Sequence, residues 1–256
     1  MTHKNPCIAL LIAVALVAVG MVPVLAEEAH PEKQDWSHQG PTGTFDRGAL
    51  QRGFQVYREV CSACHDLKYI TFRNLGDLGY SKAEIAALAA EYEVADGPND
   101  DGDMFTRPGI PSDHIPSPFA NDNAARASNG GALPPDLSLI VKAREGGEDY
   151  IYALLTGYRD APDDFTLGEG LNYNPYFTNS QIAMPQPLFE EAVEFADGTG
   201  ASVEQMAHDV TTFLAWASEP TLEARKRLGF KVMIYLLILV GLMYAVNRRV
   251  WKKLKQ

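Results

Sequence analysis

Near its C-terminus the chain runs through LGFKVMIYLLILVGLMYAV, Leu228 to Val246, and from Val232 onward this run has no polar face. At ~1.5 Å rise per residue, such a stretch just spans the hydrocarbon of a bilayer, with Lys231 able to snorkel from its outer end. A buried amphipathic core helix, the competing reading, would carry a polar face, which this run lacks. The tail NRRVWKKLKQ then sets Arg248, Arg249, Lys252, Lys253 and Lys255 directly beyond it, which assigns that end to the cytoplasm. A second apolar run lies at the N-terminus, from Cys7 to about Val22, behind His3 and Lys4 and ahead of Val24-Leu25-Ala26. That is the layout of an export signal cleaved after Ala26; a retained N-terminal anchor is the other reading. The two ends agree on one topology. Residues 1–26 are a signal, 27–224 an exported domain, 225–247 one transmembrane anchor and 248–256 a basic cytoplasmic tail. In a bacterial cell this is a single-pass protein of the inner membrane with its large domain in the periplasm.

Charge follows the same division. All 33 acids of the 256-residue chain lie between Glu27 and Glu223, while nine of the 22 Lys and Arg lie from Arg225 onward and Lys4 sits in the signal. The exported domain therefore sets 33 acids against 12 bases, a net of −21. Such a field repels nucleic acid and draws in cationic proteins at rates that fall with salt; a generic solvated surface is the competing account.

Between the ends the pattern is helical with long irregular connections. A helix begins near Thr44 and brings Phe54, Tyr57 and Val60 at helical spacing into Cys61. SKAEIAALAAEYEV opens on a Ser81–Glu84 capping box, and SVEQMAHDVTTFLAWAS on Ser202 and Gln205 with Met206, Val210, Phe213 and Leu214 at core spacing. GGEDYIYALLTGY offers Tyr150, Leu154 and Leu155 as one face. The acidic stretch ADGPNDDGDMFTRPGIPSDHIPSPFANDN has no periodicity, and no strong strand pattern or internal repeat appears. Loops of this length usually carry function or wrap a ligand.

The cysteine chemistry is concentrated in EVCSACHDLKY. Once Cys7 leaves with the signal, only Cys61 and Cys64 remain, so there is no disulfide framework. C-x-x-C-H attaches haem c through two thioethers and supplies the adjacent His65 as an iron ligand. A four-thiolate zinc site would need two further soft ligands, and a thioredoxin-like dithiol a βαβ setting; the chain offers neither. For the other axial position the outer domain offers Met104, Met184 and Met206. Met184 lies in SQIAMPQPL, stiffened by Pro185 and Pro187, and is favoured. His114 and His208 are rivals, and an open iron is a further alternative.

The chain resembles the cytochrome c1 family, the haem c subunit of the cytochrome bc1 complex. The resemblance rests on RGFQVYREVCSACHDLKYITFRNL, VADGPNDDGDMFTRPG, ARASNGGALPPDLSLIVKAREGGEDYIYALLTGY, EGLNYNPYF, IAMPQPL and FLAWASEP with its RKRLGFKV anchor. It implies a mainly α fold: a c-type cytochrome-like haem domain with long loop insertions plus one C-terminal transmembrane helix. It implies one covalent haem c, with thioethers at Cys61 and Cys64 and axial ligands His65 and Met184. It also implies haem-walling roles for Asn129, Pro135, Arg144, Tyr150, Leu154 and Phe177. The implied partners are cytochrome b, the Rieske iron–sulfur protein, a soluble c-type cytochrome with a basic face, and membrane lipid, in a dimeric complex. The implied role is electron transfer within quinol–cytochrome c reductase, with no bond-making chemistry of the chain's own. Some bacterial relatives carry an extra cysteine pair; this chain has none, so its loops must be held by packing and hydrogen bonds.

Overall fold

The computed structural model describes residues 29–254. The export signal, its cleavage point and Cys7 lie outside these residues.

Helix α1 (Arg47–Glu59) starts where Asp46 Oδ1 accepts the N–H groups of Gly48 and Ala49, two donors that a helix start leaves open. Its start therefore falls at Arg47 and not near Thr44, because Asp46 supplies the cap. Leu50, Phe54, Val56 and Tyr57 are buried. They face the last helix of the outer domain, α6 (Val203–Ser218), which also contributes Met206, Val210, Phe213, Leu214 and Trp216 to the core. The rings of Phe54 and Tyr57 sit 5.6 and 5.7 Å from Phe213, which meets Trp216 at 5.6 Å. Gly53 lets the two helices close up: a Cβ at that position would overlap the backbone carbonyl of Asp209.

One ion-pair network crosses the same interface. Arg52 donates to fully buried Asp209 at 2.6 and 3.2 Å and to Asp197 at 2.8 Å. Burial alone would raise the Asp209 carboxyl, but the hydrogen bonds it accepts, from Arg52 and Gln205 among others, bring it below its ordinary value. Gln205 is thereby drawn away from the cap expected of it. Ser202 Oγ does accept the Gln205 N–H, yet the Gln205 side chain donates to Asp209 at 2.9 Å, so only half of that capping box forms. The box on α2 (Lys82–Ala90) is complete, with Ser81 and Glu84 bonded in both directions.

Two short ribbons depart from the strandless expectation. In the acidic stretch, β1 (Glu93–Asp96) pairs antiparallel with β2 (Phe105–Pro108). Asn99 Oδ1 accepts the N–H groups of Asp101 and Asp103 at the turn, and Arg107 bonds to both Asp96 and Asp113. Three further helices follow: α3 (Asp122–Ser128), α4 (Ile140–Ala143) and α5 (Gly147–Thr156). On α5, Ile151 and Leu155 are buried while Tyr150 and Leu154 are only half-buried. Leu155 thus belongs to the core side, and Tyr150 and Leu154 form a separate face one step around the helix. A long loop then reaches the second ribbon, β3 (Asn172–Tyr173) with β4 (Gln181–Ile182).

Helix α7 (Leu222–Leu254) runs unbroken for 33 residues. From Leu228 to Trp251 its apolar side chains are exposed, Leu237 by 68%, in contrast to α6, while Leu222 at its base packs on the core. Apolar length without burial is what a bilayer-spanning helix shows. A strap formed by residues 34–45 binds its base to α5. Trp36 Nε1 and the Gln34 N–H both donate to Asp149 Oδ1, at 2.7 and 3.0 Å. His38 Nε2 donates to Glu148 at 3.0 Å, which holds that carboxyl below its ordinary pKa. Lys226 Nζ then donates to the carbonyls of His38 and Gly43 at 2.6 and 3.0 Å, and Glu223 accepts from the Phe45 N–H and from Arg47.

Candidate functional site

After α1 the chain tightens into a 3-10 turn, Cys61–Ala63, in which the N–H groups of Cys64 and His65 both return to the Cys61 carbonyl. Both cysteines are half-buried and unpaired. Burial, assisted by the neighbouring Cys64, pushes the Cys61 thiol up to about 12, so the thiol is neutral. Tyr57 fixes the exit of the motif by donating its hydroxyl to the His65 carbonyl at 3.2 Å.

The His65 ring is oriented by a distant loop. Its Nδ1 lies 2.8 Å from the Pro135 carbonyl oxygen. A carbonyl can only accept, so Nδ1 carries the proton and Nε2 keeps a free lone pair. Burial also lowers the imidazole's pKa, keeping it in the neutral, ligating form. Asp66 O accepts the Leu137 N–H, Asp136 accepts from the Lys68 and Ser138 N–H groups, and Ser138 Oγ accepts the Tyr69 N–H. These bonds zip residues 135–138 onto residues 66–69. Pro135 itself is exposed, so its carbonyl is the part that acts.

The same loop continues into α4, ends at Arg144, and passes to α5. Arg144 is exposed, and its guanidinium has no carboxylate partner among the described residues. Burial raises the Tyr150 hydroxyl, and the Arg144 charge acts against that rise, so the two side chains are electrostatic neighbours. Tyr150 in turn adds to the burial-driven rise of Tyr158. Tyr158, just past α5, donates to the Met184 carbonyl at 3.1 Å, and Asn172 Nδ2 reaches the same oxygen at 3.3 Å. Leu154 and Phe177 join this group through Asn174, which is fully buried: its Nδ2 donates to the Leu154 carbonyl, and its own carbonyl accepts the Phe177 N–H. Met184 is half-buried.

The expected residues therefore fall into two bonded groups, Cys61–Cys64–His65–Pro135 and Leu154–Phe177–Met184, joined along the chain by α4, Arg144 and α5. Asn129 belongs to neither. It ends α3, and its side chain donates back to the Ala125 carbonyl at 2.7 Å. The competing sulfur and nitrogen ligands have other places: Met206 is fully buried core, Met104 is 66% exposed, His114 is exposed, and His208 stacks on Trp36 at 4.8 Å. Tyr158, Asn172 and Asn174 were missed by sequence reasoning. The available signal was Asn-Tyr-Asn inside an irregular stretch, where buried amides commonly bond main-chain carbonyls.

Two unpaired thiols one turn apart, a neutral imidazole with a free Nε2 and a soft thioether on a pinned loop form a donor set that fits a c-type haem. The fold and the site thus define a membrane-anchored c-type haem protein. Residues 36–254 match the Cytochrome C1 family. Cytochrome c1 of Rhodospirillum rubrum is 48% identical, over 94% of this chain and 97% of that protein. The mitochondrial cytochrome c1 heme protein of Schizosaccharomyces pombe is 46% identical, over 99% of this chain and 87% of its own. Cytochrome b/c1 of Bradyrhizobium diazoefficiens is 50% identical over 94% of this chain, which spans 39% of that longer protein. The chain belongs to the Cytochrome C1 family. It is accordingly an electron-transfer subunit of a bc1 complex and not an enzyme by itself, and a c-type haem is its family's cofactor.

Proposed function

We propose that Cys61 and Cys64 bind the haem as thioethers, that His65 Nε2 and Met184 are its axial ligands, and that the chain carries electrons from a Rieske iron–sulfur protein to a soluble c-type cytochrome. The observation that carries this reading is the His65–Pro135 bond, which leaves Nε2 free beside the two thiols. When bound, the haem supplies a one-electron iron couple whose potential a thioether ligand raises. His65 is kept neutral and its ring fixed by Pro135, which raises its basicity toward a metal. Met184 would supply the second protein ligand to the iron, which would leave small molecules no vacancy there. Arg144, exposed and without a carboxylate partner among the described residues, suits a propionate.

The exposed acids Asp160, Asp163, Asp164 and Glu169 lie on the loop between Tyr158 and β3, which Gly168 bonds to Gln181 just ahead of Met184. Asp100, Asp101 and Asp103 stand exposed at the β1–β2 turn. The first set suits a basic cytochrome approaching the ligand-loop face, the second adds to the acidic field of the domain, and steering of this kind weakens as salt rises. The signal at residues 1–26 and the basic residues Arg248, Arg249 and Lys252 at the end of α7 support a periplasmic domain and a cytoplasmic tail. A relative named cytochrome b/c1 supports contact with a b-type cytochrome. Packing of α7 against that subunit and lipid would cover its exposed face, within a dimeric complex.

Optical spectroscopy and redox titration of Met184→Leu beside the parent protein test the ligand assignment. The thioether–iron charge-transfer band is expected to vanish and the potential to fall. A variant that kept both would overturn it.

A further inference from the structure

The Met184 carbonyl belongs to a Met-Pro peptide, so its own nitrogen, Pro185 N, offers no proton to the surroundings. Two side chains from different parts of the fold nevertheless converge on its oxygen. Tyr158 Oη donates at 3.1 Å and Asn172 Nδ2 at 3.3 Å, which together saturate the two lone pairs of the carbonyl.

Each donor is itself held. Asn172 lies on β3 opposite Ile182, whose carbonyl its Nδ2 also reaches at 3.5 Å, so one amide spans the end of the ribbon and the first residues beyond it. Fully buried Asn174 ties that ribbon to α5 through Leu154, while its own N–H bonds the Ser180 carbonyl. Tyr158 extends from the end of the same helix. The loop bearing Met184 thus has two independent ties to α5, the helix that also carries Tyr150 and Leu154. Beyond Met184, Pro185 and Pro187 fix φ, and Gln186 bonds the Leu188 carbonyl. Among the described residues the cysteines are unpaired, so no covalent bond serves this purpose.

We infer that Tyr158 and Asn172 are positioning residues for the distal ligand: by clamping the Met184 carbonyl they hold its thioether in place and keep the sixth coordination position closed. The inference rests on the proposed ligation by Met184. A purely structural role would move stability alone, whereas a positioning role moves the equilibrium between ligated and open iron.

The test uses Tyr158→Phe, Asn172→Ala and the double variant in the assembled membrane complex, beside Met184→Leu. Tyr158→Phe keeps the ring and removes only the donor, so folding is preserved. The rate of carbon monoxide binding by the reduced protein reads the open fraction. Loss of one neutral hydrogen bond is expected to raise it roughly fivefold, and loss of both further still. The double variant should also show a weakened thioether–iron band and a lower potential, at an unchanged content of covalent haem. A double variant whose carbon monoxide rate, band and potential all equal the parent's overturns the inference. If Met184→Leu loses the band while the double variant matches the parent in band, potential and carbon monoxide rate, the clamp fails and the ligand stands. If Met184→Leu keeps the band, the ligand assignment fails and the clamp with it.

Discussion

His65 Nδ1 and the Pro135 carbonyl oxygen meet at 2.8 Å across 70 residues of sequence. The contact sets both the direction of the ring and the electron density on its other nitrogen, since a histidine that donates from one nitrogen becomes a stronger base at the other. The carbonyl is in turn held by Asp136, which accepts from Lys68 and Ser138.

Asp136→Ala is therefore expected to loosen the Pro135 carbonyl, make His65 a weaker donor and shift the haem potential upward. Asp136→Asn, which keeps one of the two accepting oxygens, should restore part of the parent value. Redox titration of the three proteins checks this, and equal potentials would show that the loop holds without Asp136.

Arg52→Ala leaves Asp209 charged and buried without its main partner, a change that costs about 3–5 kcal/mol in comparable settings. Combining it with Asp209→Leu removes the stranded charge and should recover much of that loss. Guanidinium denaturation of parent, single and double variants measures both steps.

The carboxyls of Glu148, Asp209 and Glu219 all sit below their ordinary pKa values in the folded protein. For Glu148 the His38 hydrogen bond is the main cause; for Glu219 it is the Arg225 bond, with Lys142 also contributing. A depressed folded pKa binds fewer protons than the unfolded chain, so these groups stabilise above the usual carboxylate range and lose that contribution as pH falls through their folded values. Thermal stability should be flat above pH ~5 and decline below pH ~4. Glu148→Gln should lower the plateau and flatten the decline, measured as melting temperature against pH.

Gly53→Ala would drive a methyl group into the Asp209 carbonyl and push α1 away from α6. Overpacking of this kind costs about 1–3 kcal/mol or more. Gly48→Ala, whose Cβ would meet Arg52 Nη1 and the capping Asp46 Oδ1 at 3.3 Å, asks those atoms to give by only a few tenths of an ångström and is expected to cost less than Gly53→Ala. Melting temperatures of the two variants provide the comparison.

What the sequence discloses here divides by range. Helices whose apolar spacing and caps are local were legible: α2 with its Ser81–Glu84 box, the core residues of α6, and α7 with its basic end. The start of α1 falls at Arg47 and not near Thr44 because Asp46 supplies the cap, and the Gln205 half of a box is lost to a charge on the next turn. The ribbons were illegible, since strands as short as Asn172–Tyr173 have too little alternation to register and are fixed by remote bonds. Of the site, C-x-x-C-H and Met184 could be singled out from residue chemistry. The Pro135 carbonyl as ring orienter, the Tyr158–Asn172 clamp and the Trp36–Asp149 strap could not, because each joins residues that only the folded chain brings together.

Only Glu219, Pro220 and Thr221 separate α6 from α7, and Lys226 and Glu223 bind the strap across that short junction. A cytochrome on a flexible leash explores a volume set by the slack in its linker. This one has no slack. The strap and the junction hold the outer domain directly against the base of its apolar helix, so in any encounter the freedom to reorient is expected to come from the other protein.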